Sequence, residues 1–457
     1  MRAGITICAI FLGLIARHHE SACAADTLNT PDWLSVSGIV RARHQFLENQ
    51  FRPGFPDEPD HILALRSLLD VKIKPSQSLT LGFEMQDGRI IGASDATPLN
   101  TGVVNTFELL RAYASLELDD VFDTAGSHRF TVGRMTLELG RGRLIGRNGF
   151  RNTINAFTGI HYTWTRPDTT LDAFWVLPVD RRPNTRAALL ENETAFDRES
   201  FAQQLWAIHW EQRNQAWGLT TQLYVFGIHE RDEPDRQTRN RQLYTPGFAI
   251  FKSAAPDEWF VDLEMSLNFG KSNRTAAATD TQRLEHFGFT AHAEVGYRFD
   301  VAWTPMLLAQ FDFASGDPDP TDNNNGQYDT LFGPKRGDFG HTDIYGALAR
   351  ENIIAPAIAI HVWPTDKMHA RLRYQPAWLD EARDGWPDIG VIDPTGQSGT
   401  FIGHQIETRF TWDLFNDHVR LGAGSGFLIR GRFAREAPNA NDTGDSVYFY
   451  SDVSLRF

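Results

Sequence analysis

Apolar and polar residues alternate with a period of two along most of this chain. The alternation is clearest in residues 258–270, where every second residue is large and apolar: Trp259, Val261, Leu263, Met265, Leu267 and Phe269. A period of two is that of a β-strand whose two faces meet different surroundings. About eighteen such segments follow one another, from residues 33–46 to residues 447–457.

The connections between these segments alternate in length. Short ones such as residues 75–77 and 364–365 are followed by long polar ones such as residues 315–352. Short periplasmic turns alternating with long extracellular loops are typical of outer-membrane barrels, and strands in hydrocarbon must close on themselves. The sequence therefore predicts an all-β fold: a single transmembrane antiparallel β-barrel of about 18 strands. Both termini are then expected on the periplasmic side, and the protein is expected to be a monomer in outer-membrane lipid.

The charge balance limits the partners that the chain is expected to have. The formal net charge is −14, from 58 acidic and 44 basic residues. A nucleic-acid partner calls for a basic patch and a high isoelectric point, so no nucleic acid is expected.

The first residues have the pattern of a secretory signal peptide. Arg2 precedes an apolar stretch at residues 5–15, and Ala22-Cys23-Ala24 fits a cleavage site, so residues 1–24 are predicted as the leader. Residues 25–457 then form the barrel domain, which contains no cysteine. Lipidation of Cys23 is an alternative, although Glu20 stands where that signal has an aliphatic residue.

The chain ends on an aromatic residue in phase with an apolar face. Phe457 shares that face with Leu455, Val453 and Phe449. A final strand ending in phenylalanine is similar to the signal read by the outer-membrane assembly machinery, which is therefore an expected partner through Phe457.

The polar face of the predicted strands is rich in arginine. A basic side chain facing lipid costs about 2–4 kcal/mol at the midplane, so these residues are expected to face the lumen. Rings of basic residues in a pore favour anions. The alternative is that the bases pair with acids in ladders that stiffen or plug the lumen. The residues predicted to line the pore from the strands are Arg66, Asp70, Arg111, Glu117, Arg371 and Arg409. Among them, Asp70 and Glu117 are predicted to hold some of the arginines in place.

Residues 131–152 are unusually rich in arginine and glycine, with five of each. Such a segment is predicted to leave a strand and fold inward, where Arg134 and Arg143 would join the basic constriction. Arg134 falls in phase with Phe130 and Val132, which are predicted to face lipid, so a β-bulge is expected to break the alternation there.

Several short motifs are spread over nearly all of the mature chain: Gly133-Arg134, residues 140–146, Asn152, Phe157-Thr158-Gly159, Asp70-Val71-Lys72, residues 83–89, Gly316-Asp317, Phe332-Gly333-Pro334 and Asp343. Together they resemble the alginate-export family of outer-membrane proteins. The resemblance implies an eighteen-stranded barrel with an arginine-rich conduit for an anionic uronate polymer. Met135 and Arg141 depart from the family pattern, where a glutamine and an acid are expected, so the identity of the polymer stays open.

No enzyme or cofactor motif stands out. A G-x-S-x-G, an H-E-x-x-H and a P-loop are all missing from the sequence. Asp317, Asp319 and Asp322 form a weak calcium candidate, but they lack the spacing of an EF-hand, and loops use such residues for turns.

The function predicted from the sequence is an outer-membrane porin that passes an anionic substrate. Anionic carbohydrate, including a uronate polysaccharide such as alginate, and small anions are the expected solutes, without a cofactor or catalysis. One alternative is a lipid or polysaccharide hydrolase built on Ser315, His341 and Asp343. Another is a structural barrel whose lumen is plugged.

Overall fold

Eighteen long strands follow one another along the chain. The computed structural model describes residues 30–121, 125–335 and 337–457, so the predicted signal peptide lies outside the described residues. In chain order, β1 to β18 are Leu34–Glu48, Asp60–Ile73, Leu79–Ile91, Asn105–Asp119, Ser127–Met135, Phe157–Thr165, Thr169–Pro178, Gln203–Gln212, Thr220–Glu230, Gln242–Lys252, Glu258–Ser272, Leu284–Arg298, Met306–Ala314, Ile353–Thr365, Met368–Trp378, Phe401–Leu414, Val419–Arg430 and Ser446–Arg456.

Each strand pairs antiparallel with the next, and the last pairs with the first. The closing ladder runs from Ile39 opposite Arg456 to Glu48 opposite Val447. The predicted eighteen-stranded antiparallel barrel is thereby confirmed. A two-residue strand, Asn324–Asn325, lies in the longest loop and pairs parallel with β12. The helices are the single turns α1 (Arg186–Leu190) and α2 (Arg432–Glu436) and a three-residue 3₁₀ turn at Ala216–Gly218.

The connections alternate in length as the sequence predicts. The turns at one rim have two to seven residues, whereas each loop at the other rim has at least eleven. These rims are called the turn side and the loop side below. None of the helices in the described residues is long or apolar enough to span a membrane.

The two faces of the strands have opposite character. Large apolar side chains on the outer face are exposed, among them Val132, Ile358 and Leu372. Charged side chains on the inner face, such as Arg41 and Arg66, are buried. Hydrocarbon solvates apolar groups and cannot satisfy charges, so the exposed apolar face is the one that suits lipid.

The predicted bulge at Arg134 is wrong in its position. Strand β5 pairs in unbroken register with both neighbours, and the register shifts lie one ladder earlier, between β3 and β4 at Glu84/Met85 and Gln86/Gly88. No shift is needed at Arg134, because its guanidinium is matched by the carboxylates of Glu108 and Glu199.

The apolar core lies inside the barrel, towards the loop side. Two inward loops, residues 136–156 and 315–352, contribute much of it, including Leu144, Ile145 and Phe339. Ile145 bridges to Phe332, which joins the two loops. Gly333 is required at this junction, since a Cβ there would lie 1.8 Å from the carbonyl oxygen of Arg143.

The outer face generates a first prediction. Leu372 lies in the middle of β15 and is 48% exposed. Replacing it with arginine should lower the free energy of unfolding in phospholipid vesicles by about 2–4 kcal/mol, because the charge must enter hydrocarbon. Phe415→Arg, at a turn, is the control and should cost about 0–1 kcal/mol. If urea titrations showed the same loss in free energy of unfolding for both variants, the assignment of this face to lipid would be contradicted.

Candidate functional site

The loop of residues 136–156, called the crossing loop, is fastened to β1 and β2 through its backbone. Arg66 Nη1 donates to the carbonyl oxygens of Gly149 and Arg151, at 2.8 and 2.9 Å. Arg41 donates to the carbonyl oxygens of Gly149, Phe150 and Arg151 at 3.1–3.3 Å. Both arginines are almost fully buried, so their guanidinium groups serve the loop rather than solvent.

The opposite end of the crossing loop is fastened to β11 by ion pairs. The guanidinium of Arg143 contacts Glu264 at 2.5 Å, Asp338 at 2.8 Å and Asp262 at 3.2 Å. Arg141 contacts Asp262 at 2.9 Å. Burial works against the charge on Arg143, but its three carboxylate partners hold the pKa of Arg143 well above its usual value. Since β11 and β1–β2 are distant strands of the barrel, the loop crosses the interior.

The loop of residues 315–352, called the long loop, fills another part of the interior. Gln405 donates to the carbonyl of Phe339 at 2.5 Å and accepts from the hydroxyl of Tyr345 at 3.0 Å. His341 Nε2 lies 3.0 Å from the carbonyl oxygen of Thr408. These contacts hold the long loop against β16.

Two cavities lie where these loops meet. The turn-side cavity has a volume of about 220 Å³ and the loop-side cavity about 410 Å³. Asn148, Pro334 and Thr342 line both of them, so these residues form the boundary between the two chambers. One comes from the crossing loop and two from the long loop, so the boundary between the cavities is built by loops.

Three of the sequence-predicted site residues line the turn-side cavity: Arg143, Arg371 and Arg409. Arg371 forms an ion pair with Glu407, and the Arg409 guanidinium carbon lies 5.3 Å from the ring centroid of Phe150. Three further arginines line the same cavity and were not selected from the sequence: Arg141, Arg147 and Arg373. The sequence carried a signal for each of them. Arg373 lies two residues from Arg371 and so shares its face of the strand, and Arg141 and Arg147 lie in the segment rich in arginine and glycine.

The other predicted site residues lie outside both cavities. Arg111 forms ion pairs with Asp70 and with Glu84, the latter at 2.6 Å. Glu117 pairs with Arg129 at 2.9 Å near the turn side. Arg66 holds the crossing loop, as described above.

Arg134 docks a neighbouring loop rather than facing a cavity. It contacts Glu108 at 2.6 Å and Glu199 at 2.8 Å. The second oxygen of Glu108 accepts the backbone N–H of Asp197 at 3.0 Å. Arg134 and Glu108 thus tie the loop of residues 179–202 to the rim.

The three acids of the calcium candidate do not converge. Asp317 forms an ion pair with Arg274, Asp319 accepts from Thr321 at 2.6 Å, and Asp322 accepts from the backbone of Asn324 at 2.7 Å. Within the described part of the chain, the acids and histidines that do converge are Asp262, His292 and Glu294, and His292, Asp312 and Asp338. Arg143 already binds Asp262 and Asp338 and disfavours a cation there.

The residues of the hydrolase alternative have separate partners. Ser315 donates to the carbonyl of Gly326 at 2.7 Å, and Asp343 pairs with Arg43 at 3.3 Å. His341 faces the Thr408 carbonyl, and burial lowers the pKa of His341 to about 4. None of these contacts joins one member of the set to another.

Comparison with known proteins gives a family and a fold. The alginate export family model matches residues 32–447. Among solved structures, OccK9 (OpdG) of Pseudomonas aeruginosa is 14% identical with a TM-score of 0.59, over 93% of this chain and 98% of that one. OccK2 (OpdF) of the same organism, solved in complex with glucuronate, is 12% identical with a TM-score of 0.55, over 93% of this chain and 98% of that one. The outer-membrane protein opdK, also of Pseudomonas aeruginosa, is 10% identical with a TM-score of 0.56, over 93% of this chain and 99% of that one. No curated protein matches by sequence.

The anchoring of the crossing loop generates a second prediction. Hydrogen bonds from a charged donor are each worth roughly 1.5–3 kcal/mol, so Arg66→Met should release the loop from β2 while keeping the apolar stem. Single-channel conductance and current noise in planar bilayers should both rise. Arg129→Met, at an exposed arginine on β5, is the matched control. Unchanged conductance and noise in the Arg66 variant would show that this anchor does not shape the pore.

A third prediction concerns the docking of residues 179–202. Burial raises the pKa of Asp197 from its ordinary 3.8 to about 7, with the Glu108 carboxylate adding to the rise. The docked loop therefore holds a proton that the free loop releases near pH 4. The contribution of Asp197 to docking should therefore be fully present below about pH 4 and be lost as the pH rises through about 7.

Hydrogen–deuterium exchange, corrected for intrinsic rates, should show falling protection of this loop from pH 4 to pH 8. Asp197→Asn should make the protection nearly independent of pH. Asp366→Asn is the control, because Asp366 is exposed in the turn of residues 366–367 at the opposite rim. A wild-type loop with constant protection over this range would contradict the prediction.

Proposed function

Since this chain belongs to the alginate export family and folds as an outer-membrane β-barrel, we propose that it is a channel for carboxylate-bearing anions. The observation that carries the proposal is the lining of the turn-side cavity. Six arginines line it, whereas three acids do: Glu138, Glu294 and Asp338. Four further acids pair with these arginines but do not line the cavity: Asp262, Glu264, Glu84 and Glu407. Guanidinium groups are thus the more numerous charges at the wall itself, and positive charge at the wall of a narrow, low-dielectric passage raises the local concentration of anions.

The register of the strands concentrates this charge at one level of the barrel. Arg371 on β15 lies directly opposite Arg409 on β16, and Arg373 lies opposite Glu407. Like charges directly opposite on neighbouring strands destabilise a sheet. Glu407 offsets part of this cost through ion pairs with Arg371 and Arg373, and a passing carboxylate would offset more. The guanidinium fork suits carboxylates because it can donate two parallel hydrogen bonds.

Anionic carbohydrate is one class of solute that fits this chemistry. The family is described as alginate export, and one protein of similar fold was solved with glucuronate. Met135 and Arg141 depart from the pattern expected for alginate transport; here Met135 lies in the core and Arg141 binds Asp262. In the outer membrane we place the turn side and both termini in the periplasm, and the long loops outside the cell.

The two alternatives make different predictions for conductance. A plugged structural barrel would give no channels in a planar bilayer. A hydrolase would turn over lipid or polysaccharide whether or not it conducts, and its three candidate residues are held by separate partners. The two chambers that meet at Asn148, Pro334 and Thr342 favour a narrowed passage over a filled lumen.

A fourth prediction tests the basic cavity. Replacing Arg371 and Arg409 together with glutamine removes two positive charges from its wall and retains polar side chains. In a salt gradient, the reversal potential should shift from anion preference towards cation preference, with a several-fold fall in the anion-to-cation permeability ratio. Each single variant should shift it less, because the potential is a sum over the group.

The control removes the same charge elsewhere. Lys72→Gln with Arg129→Gln changes two half-exposed side chains that line neither cavity, and it should leave selectivity close to that of the wild type. A conducting Arg371/Arg409 double variant with unaltered selectivity would contradict the proposal. Arg371 would then act only as a partner of Glu407, and Arg409 only as a support for the ring of Phe150.

A further inference from the structure

The turn-side cavity has a second wall that charge selection does not require. Phe260, Met306, Leu308 and Ala359, called the apolar wall below, line the same cavity as the six arginines. They form a cluster with Ala254 and Trp363 that is separate from the large core beneath the loops. The apolar wall therefore borders the cavity without being part of the core that fixes the loops.

The apolar wall lies on the inner face of the barrel, not on the lipid face. On β13 the alternate residue Leu307 is 52% exposed, and on β14 the alternate residue Ile358 is 64% exposed. Further along the inner face of the same strands are polar residues, including Asp262 and Gln310. Four apolar side chains at one level of a polar inner face are thus a local exception to its character.

The ladders place this exception directly beside the arginines. One row across neighbouring strands runs Phe260, Gly296, Leu308, Ala359 and Arg373. The next row towards the turn side runs Met306, His361, Arg371 and Arg409. Each row thus joins residues of the apolar wall to arginines on the neighbouring strands. Gly296 carries no side chain, and a Cβ there would lie 2.7 Å from the carbonyl oxygen of Leu307.

We propose that the turn-side cavity binds a carboxylate that has an apolar body, such as an aromatic or branched aliphatic acid. The carboxylate pairs with the Arg371–Arg373 side of the cavity, and the body packs on the apolar wall. A cavity of about 220 Å³ is of the size that one small ring with its acid group requires. The assignment builds on the proposed anion channel and narrows the class of anion that it favours.

The chemistry of the wall separates this class from sugars. Leucine, methionine and alanine offer no hydrogen-bond partner, so sugar hydroxyls placed against them would lose bonds to water without replacement. An apolar ring or branched chain instead gains from leaving water at this surface. Charge brings both kinds of acid to the cavity, and the apolar wall discriminates between them.

The test compares two acids of the same charge, benzoate and glucuronate, as blockers of single-channel chloride current. Benzoate should half-block the wild-type channel at a concentration about tenfold lower than glucuronate, the factor given by burying roughly two methylene equivalents. Met306→Gln with Leu308→Asn keeps side-chain size and removes the apolar character. This variant should lose the tenfold preference and retain the wild-type reversal potential.

The matched control is Met306→Leu with Leu308→Met, which keeps both positions apolar and should keep the preference for benzoate. Heat-modifiable migration on gels shows whether each variant is a folded barrel. If the polar variant does not fold, the relative block of the wild-type channel by benzoate and glucuronate still tests the proposed preference for apolar acids.

The outcomes separate this inference from the function on which it rests. Anion preference with equal block by both acids, or tighter block by glucuronate, would overturn the apolar-acid assignment and leave the anion channel standing. Benzoate-selective block that disappears in the polar variant, in a channel without anion preference, would support the binding site and overturn the anion channel.

Discussion

Closure of the sheet is the constraint on which the rest of this structure depends. Hydrocarbon offers no hydrogen-bond partner, so every strand must pair on both sides, and the β1–β18 ladder completes the circle. A slip of one residue would turn each lipid-facing side chain inward, so the register is strongly fixed. The inward residues therefore lie in defined rows, and the side-by-side placement of Arg371 and Arg409 is a consequence of that register.

Closure with this many strands also leaves an interior that side chains cannot fill. Barrels of 16–18 strands enclose an aqueous channel unless loops enter it. Here the crossing loop and the long loop enter, and their backbone polar groups then need partners away from bulk water. Arg41 and Arg66 supply several of them, because a guanidinium carries five donors and can reach successive carbonyls.

The strands and the alternation of loops could be predicted from the sequence, because both follow from a local period of two. The partners of the inward charges could not, since they depend on which loop crosses the barrel. Arg143 binds Glu264, which lies 121 residues further along the chain. The period of two placed Arg66 and Arg111 in one constriction with Arg371, yet neither of the first two lines a cavity: Arg66 holds a loop backbone, and Arg111 pairs with Asp70, as expected, and with Glu84. The apolar wall had one visible signal, since Phe260 interrupts the polar face of its own strand.

The arginines of the interior divide into two groups by what neutralises them. Those at the core of the crossing loop meet carbonyls or several carboxylates, as Arg143 does with Asp262, Glu264 and Asp338, and they hold the loop in place. On β15, Arg371 and Arg373 share a single carboxylate, Glu407, and Arg373 also donates to the carbonyl oxygen of Asp338. A buried cation with a full set of fixed partners has little left to offer a ligand, so Arg371 is the one of these two with more donor capacity for an incoming anion. The same residue type thus holds the loop and serves the cavity beneath it, and the number of fixed partners decides which role each arginine takes.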